Sequence, residues 1–159
     1  MYVVDFEKVL KNYSPYHDSL LKINGEREKF SNRIEEIKKE MEGIISTSKS
    51  LFLDEATQTK NANRFKELQA EGMKMESKFR KEVVELQNKE LENNFAEITE
   101  IVQYWAKASE IDLVINKNQV IYTTEKLEAT DSIIELLKEK NLYKEYIVEE
   151  FETEVLETE

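Results

Sequence analysis

Along most of the chain, apolar side chains recur three and four positions apart. The first series is Leu20, Ile23, Phe30, Ile34, Ile37, Met41, Ile44 and Ile45. From Phe30 it traces a heptad-like seam, with Glu28, Arg33, Glu35, Glu36, Lys38, Lys39 and Glu40 on the other faces. The period lapses in the polar run Ser46-Thr47-Ser48-Lys49-Ser50, made of poor helix formers. It resumes after Asp54-Glu55, a capping residue followed by an acid at the positive helix end. The second series is Phe65, Leu68, Met75, Phe79, Val83, Leu86, Leu91, Phe95, Ile98, Val102 and Trp105. The spacing predicts two long helices, 15–50 and 54–108, folded back on each other as an antiparallel coiled-coil hairpin. Its tip turn falls between Ser46 and Asp54. Gly25, Gly43 and Gly72 lie inside these helices, where each weakens the helix by about 1 kcal/mol relative to alanine and is expected to mark a bend. The helices are unequal, so the end of the second, near 91–108, needs another partner.

The two ends of the chain supply that partner. Tyr2-Val3-Val4-Asp5 reads as a short buried strand, and Asp5 caps a helix from Phe6 to Asn12 with Phe6, Val9 and Leu10 on one face. Pro15 opens the next helix. After Ser109-Glu110 the period shortens to two. Residues 112–116 and 120–124 read as two strands joined by the polar turn Lys117-Asn118-Gln119, hence a β-hairpin. Thr130 or Asp131 caps a helix bearing Ile133, Ile134, Leu136 and Leu137, and Asn141 ends it. The glutamate-rich tail from Tyr143 reads either as an edge strand or as a disordered segment. The fold class is therefore mostly α with a small β body. Residues 1–15 and 109–159, with the helix end near 91–108, form an oligomerisation base. Residues 16–108 form the arm, with its tip near 46–54. Three strands and two short helices make a thin core for one copy, so association through Val3, Val4, Leu113, Ile115, Val120 and Tyr122 is expected to close the strand edges.

Composition narrows the function classes. The net charge is −11, but residues 1–16 are neutral, 17–108 carry only −2, and 109–159 carry −9. With no basic stripe to neutralise phosphates, nucleic acid is not an expected partner. No apolar run reaches the roughly 18 residues of a membrane span, so stable insertion is not expected either. The chain has no cysteine, which excludes disulfides and thiolate metal sites. All three glycines fall within helices, leaving no Gly-rich phosphate loop, and no carboxylate pair with a nucleophile marks a catalytic cleft. Neither enzyme activity nor a cofactor is expected.

The order of the pieces carries a resemblance. Tyr2-Val3-Val4-Asp5-Phe6-Glu7-Lys8-Val9-Leu10 opens the chain, with Tyr13 and Pro15 following. Ile98 to Ala108 runs into Ile111-Asp112-Leu113-Val114-Ile115, then Val120-Ile121-Tyr122, then Ala129-Thr130-Asp131 and Ile133 to Leu137. Over about residues 1–142 this resembles the Skp/OmpH family of periplasmic chaperones. The resemblance implies a trimer whose bases share a small barrel-like body and whose hairpins hang as tentacles around a cavity. It implies unfolded outer-membrane β-barrel proteins as clients, held without ATP, and a periplasmic location. No basic-then-apolar leader stands in the sequence, which keeps a cytoplasmic location open. Family members often carry a positive surface, whereas this chain is acidic and its last 17 residues extend past the usual end. Apolar capture is therefore expected over charge-steered capture. At Thr130-Asp131-Ser132 the usual Asp-Ile-Thr order is altered but the cap chemistry is kept.

Met41, Leu51, Phe52, Leu53, Phe65, Met73 and Met75 are the client-binding candidates. Methionine adapts to varied partners, and Leu51-Phe52-Leu53 cannot all face one seam. A hydrophobic lock on the turn is the competing role for them. His17, the sole histidine, lacks the three or four converging ligands a metal wants and is expected at the surface or a helix start. Trp105, Tyr104 and Tyr122 are expected to pack where the arm meets the base. Beside a holdase chaperone stand two alternatives: a non-enzymatic coiled-coil spacer or adaptor, and a prefoldin-like cytoplasmic chaperone.

Overall fold

A computed structural model describes residues 1–50 and 52–146 of the chain. The expected tail strand beyond Tyr146 and the candidate Leu51 lie outside the described residues. The order of elements is β1 (Tyr2–Val4), α1 (Phe6–Lys11), α2 (Ser14–Ser48), α3 (Glu55–Ala108), β2 (Val114–Asn116) and α4 (Thr130–Glu139). Two single 3-10 turns, Lys117–Gln119 and Glu125–Leu127, separate β2 from α4. The chain divides into two compact units: residues 1–21 together with 88–159, and residues 22–87.

In the first unit, β1 and β2 pair in parallel, with Tyr2 opposite Val114, Val3 opposite Ile115 and Val4 opposite Asn116. Successive strand residues point to opposite faces, and Val3 and Val4 are both buried, so β1 is covered on both sides. The expected hairpin is not formed. The other edge of β1 is taken by a parallel bridge to Glu128, with the Ala129 N–H donating to the Val3 carbonyl at 2.8 Å. Residues 117–127 are thus the crossover that carries the chain from one side of β1 to the other. A crossover cannot also double back as an antiparallel strand. The 3-10 turn at Lys117–Gln119, with the Val120 N–H on the Lys117 carbonyl at 3.1 Å, starts that path.

Asp5 caps α1 as its sequence position predicts, its carboxylate accepting from the Lys8 N–H at 2.9 Å. The Asp5 N–H in turn donates to the Thr130 hydroxyl at 2.8 Å, tying the start of α1 to the start of α4. Helix α4 ends where Asn141 turns left-handed (φ 56°) and the Leu142 N–H closes on the Leu137 carbonyl at 2.8 Å. Val4, Val9, Leu10, Tyr13, Ile98, Val102, Ala129, Ile133, Ile134 and Leu137 then form one buried core. α1, α4 and the end of α3 thus close around β1 within one chain.

In the second unit, α2 and α3 meet in antiparallel order. Phe30 stacks at 5.2 Å on Phe79, Arg33 pairs with Glu71, and Glu40 pairs with Arg64. Among its described residues, Ile23, Ile37, Leu68 and Val83 are the buried side chains of this unit. Both helices run unbroken through Gly25, Gly43 and Gly72, so the bends expected there do not interrupt the hydrogen-bonded spiral.

Candidate functional site

Long helices present side chains on every face, and only a narrow stripe of the second unit is buried. The rest is held by charge. The Arg33 guanidinium donates to Glu71 at 2.7 and 3.1 Å and to Glu36 at 2.8 Å, and these carboxylates raise its pKa. Arg64 grips both oxygens of Glu40, at 2.7 and 3.1 Å, and its donated bonds hold that carboxyl below the ordinary glutamate range. Solvent screens exposed pairs of this kind, so they set register more than they set stability.

The client-binding candidates distribute unevenly over this unit. Phe52 is 96% exposed and Met73 67% exposed. Met41, Leu53, Phe65 and Met75 are half-buried. The turn is held by the Asp54 carboxylate, which accepts from the Thr57 N–H at 2.6 Å, and by Gln58, whose side chain donates to the Leu53 carbonyl at 3.1 Å. Phe52 is therefore not part of a hydrophobic lock; an exposed phenyl ring stands at the turn.

In the first unit, Val3 and Val4 of the expected oligomerisation set are buried within the single chain. Ile115 and Val120 are half-buried, Leu113 is 48% exposed and Tyr122 79% exposed. Ile121, beside Tyr122, is fully exposed. Of the three aromatic residues expected to pack, Trp105 does so, edge-on to Tyr2 at 5.8 Å. Tyr104 is exposed beneath the Lys140 ammonium, which sits 4.8 Å from its ring, and Tyr122 points to solvent. Packing fails at these two because the crossover carries Tyr122 away, and Tyr104 faces outward on α3.

A groove of about 670 Å³ opens between α1 and α3. Phe6, Leu10, Leu91, Phe95 and Ala96 line it, with Asn116, Lys117 and Asn118 at one lip and Asp5, Glu7 and Glu92 at the rim. Leu91 and Phe95, expected in the helix seam, are instead 45% and 44% exposed and belong to this groove. Asn94 takes the buried seam position beside them. Its amide donates to the Ser19 hydroxyl at 2.9 Å and to the Glu90 carbonyl at 2.6 Å. Sequence periodicity overlooked this polar layer, because Ser19 and Asn94 read as solvent positions.

His17 falls in the first turn of α2, one of its two expected positions, but it is buried, which corrects the other. Its Nε2 lies 2.6 Å from the Lys11 carbonyl and its ring meets Tyr146 edge-on at 6.1 Å. Tyr13 lies in the same core, and its hydroxyl donates to Glu97 at 2.7 Å; burial first, then that acceptor, pushes its pKa well up. Among the described residues no three histidine or carboxylate side chains converge as a metal ion would require, and no helix is long and apolar enough to cross a membrane. Search of curated proteins finds no match to the chain. A family profile described as Outer membrane protein (OmpH-like) matches residues 1–137.

Proposed function

The chain belongs to the OmpH-like family, and from that membership we propose that it is an ATP-independent holdase chaperone of the periplasm. Its clients are unfolded proteins of the outer-membrane type, kept from aggregating between the coiled-coil arms of a homotrimer. The observation that carries this reading is the match itself, which spans β1 through most of α4 and so takes in every element of the fold. The second unit supports it: a thin buried stripe, a polar ion-paired exterior, and exposed Phe52 and Met73. Such a surface offers many weak contacts and no single deep site, which suits clients without fixed shape. In the first unit, among the described residues, β2 has one strand partner, and Leu113, Ile121 and Tyr122 stand exposed around it, which supports assembly there. Met41, Leu51, Phe52, Leu53, Phe65, Met73 and Met75 are the proposed client contacts.

The test is light scattering after an unfolded outer-membrane protein is diluted from denaturant, with and without the chain and with no nucleotide present. Scattering suppressed at a few-fold molar excess is the expected result. Unchanged scattering would remove the holdase reading.

A further inference from the structure

We propose that the groove between α1 and α3 is the docking site of the same chain's segment after Tyr146, with Phe151 as the side chain that fills it. The proposal concerns the first unit of a single chain and does not depend on the holdase reading. The segment also lies beyond the residues that the family profile matches, which end at 137.

The path of the chain up to Tyr146 carries the inference. After α4 the backbone runs along the junction of α1 and α2. The Ser14 N–H donates to the Leu142 carbonyl at 2.8 Å, Tyr143 bridges Tyr13 in antiparallel sense, and the Lys144 N–H donates to the Asn12 carbonyl at 3.0 Å. Antiparallel pairing directs the chain from the end of α1 toward its start. Tyr146 is on that course, its ring 5.6 Å from the Lys11 ammonium. Lys11 pairs at 2.8 Å with Glu7, one helical turn back. Glu7 borders two clefts: the groove, and a smaller one of about 480 Å³ that Tyr143 and Tyr146 line. The last described residue thus lies one cleft short of the groove, with the chain heading toward it.

Reach and composition name the occupant. Phe151 stands five positions beyond Tyr146. Five residues span up to about 17 Å, against about 5 Å for the turn of α1 between Lys11 and Glu7. Ile147 and Val148 come first, and Phe151 is the one aromatic residue after Tyr146. The groove offers it the rings of Phe6 and Phe95, 5.2 Å apart, with Leu10 and Leu91 beside them. Ring edges and faces exposed in this way favour a further aromatic side chain. A short connection holds the two partners at an effective concentration in the millimolar range, so the contact needs little intrinsic affinity. Seated there, Phe151 keeps the groove closed to apolar segments of other proteins.

Charge opposes this contact and so gives it a signature. Asp5, Glu7 and Glu92 stand at the rim, and Glu149, Glu150 and Glu152 flank Phe151. Apolar burial must exceed a like-charge repulsion, and salt screens that repulsion. Salt therefore tightens the contact. A segment held instead by the lysines at the entry, Lys8 and Lys11, would loosen in salt.

The chain has no cysteine, so an introduced pair reports the contact alone. Glu152→Cys and Ala96→Cys are combined in the whole chain; Ala96 is exposed, so its change leaves the core intact. A disulfide within one chain should form about tenfold faster than when Phe151→Ser is added, the occupancy that burying one phenyl ring supplies. That ratio should widen between about 0.05 M and about 0.5 M salt. Equal rates with and without Phe151→Ser, or a ratio that does not rise with salt, would overturn the proposal. A disulfide that links two chains would also overturn it, since the groove would then serve a second copy. A measurement without cysteines guards against a groove disturbed at Ala96. In the unmodified chain the methyl resonances of Leu10 and Leu91 should be displaced by the Phe151 ring, and Phe151→Ser should remove the displacement. Unmoved methyl signals would sink the proposal and leave the holdase reading untouched.

Discussion

Gly25 and Gly43 sit in the middle of α2 without a packing reason: a Cβ built at either meets nothing within 4 Å. Gly25→Ala and Gly43→Ala should therefore each stabilise the chain by about 0.5–1 kcal/mol in denaturant unfolding, through loss of backbone freedom in the unfolded state. A destabilising alanine would show that α2 bends at that residue in solution. Glu128 makes a second prediction. Bonds donated by the Thr130 hydroxyl and then the Lys117 ammonium hold its carboxyl below the ordinary value of 4.5, against partial burial, which pushes it up. A depressed folded pKa means a stabilisation fully present above the ordinary value and lost as pH falls through the folded one. Wild-type stability should thus drop more between pH 7 and about pH 3 than that of Glu128→Gln, and equal drops would remove the role given to this network. At this scale the sequence was readable where a side chain answers to its neighbours, as at Asp5 and Asp54. It was opaque at His17, Ser19 and Asn94, whose burial depends on partners as much as 75 residues away.

At the scale of elements, local period and distant pairing separate cleanly. Both long helices were legible because three- and four-residue spacing is a property of the helix itself, and their ends fell within two residues of the expected positions. The β-hairpin was not, because alternation marks a strand but does not name its partner. Residues 120–124 alternate as a strand would, yet the parallel bridge between Val3 and Glu128 makes them a crossover. The helix α4 is the element that closes the core, and Ile133 and Leu137 on it are fully buried. Ile133→Ala should cost about 2–5 kcal/mol by removing buried methyl groups and leaving a cavity. Measured by urea unfolding, a loss under about 1 kcal/mol would mean that the single-chain core is not the folded core in solution.

At the scale of the whole molecule, the two units differ in how they are held. The first closes a contiguous apolar core around β1, while the second, among its described residues, has four buried apolar side chains and a set of exposed ion pairs. The proposed function draws on that contrast, with the first unit as the base for assembly and the loosely held second unit as the surface for clients. Screening weakens exposed pairs, so added salt should loosen the second unit before the first, visible as earlier amide exchange in residues 22–87. The family was readable from the order of short segments around the long helices. The client contacts were not, since an exposed methionine or phenylalanine looks the same in sequence whether it grips a partner or only faces water. The central claim is that several copies together hold one unfolded chain, and it is tested most directly by the mass of the complex with a diluted outer-membrane protein, measured by multi-angle light scattering. The account predicts one client plus three chains of 18.8 kDa. A client that elutes alone, beside a chain of monomer mass, would contradict it.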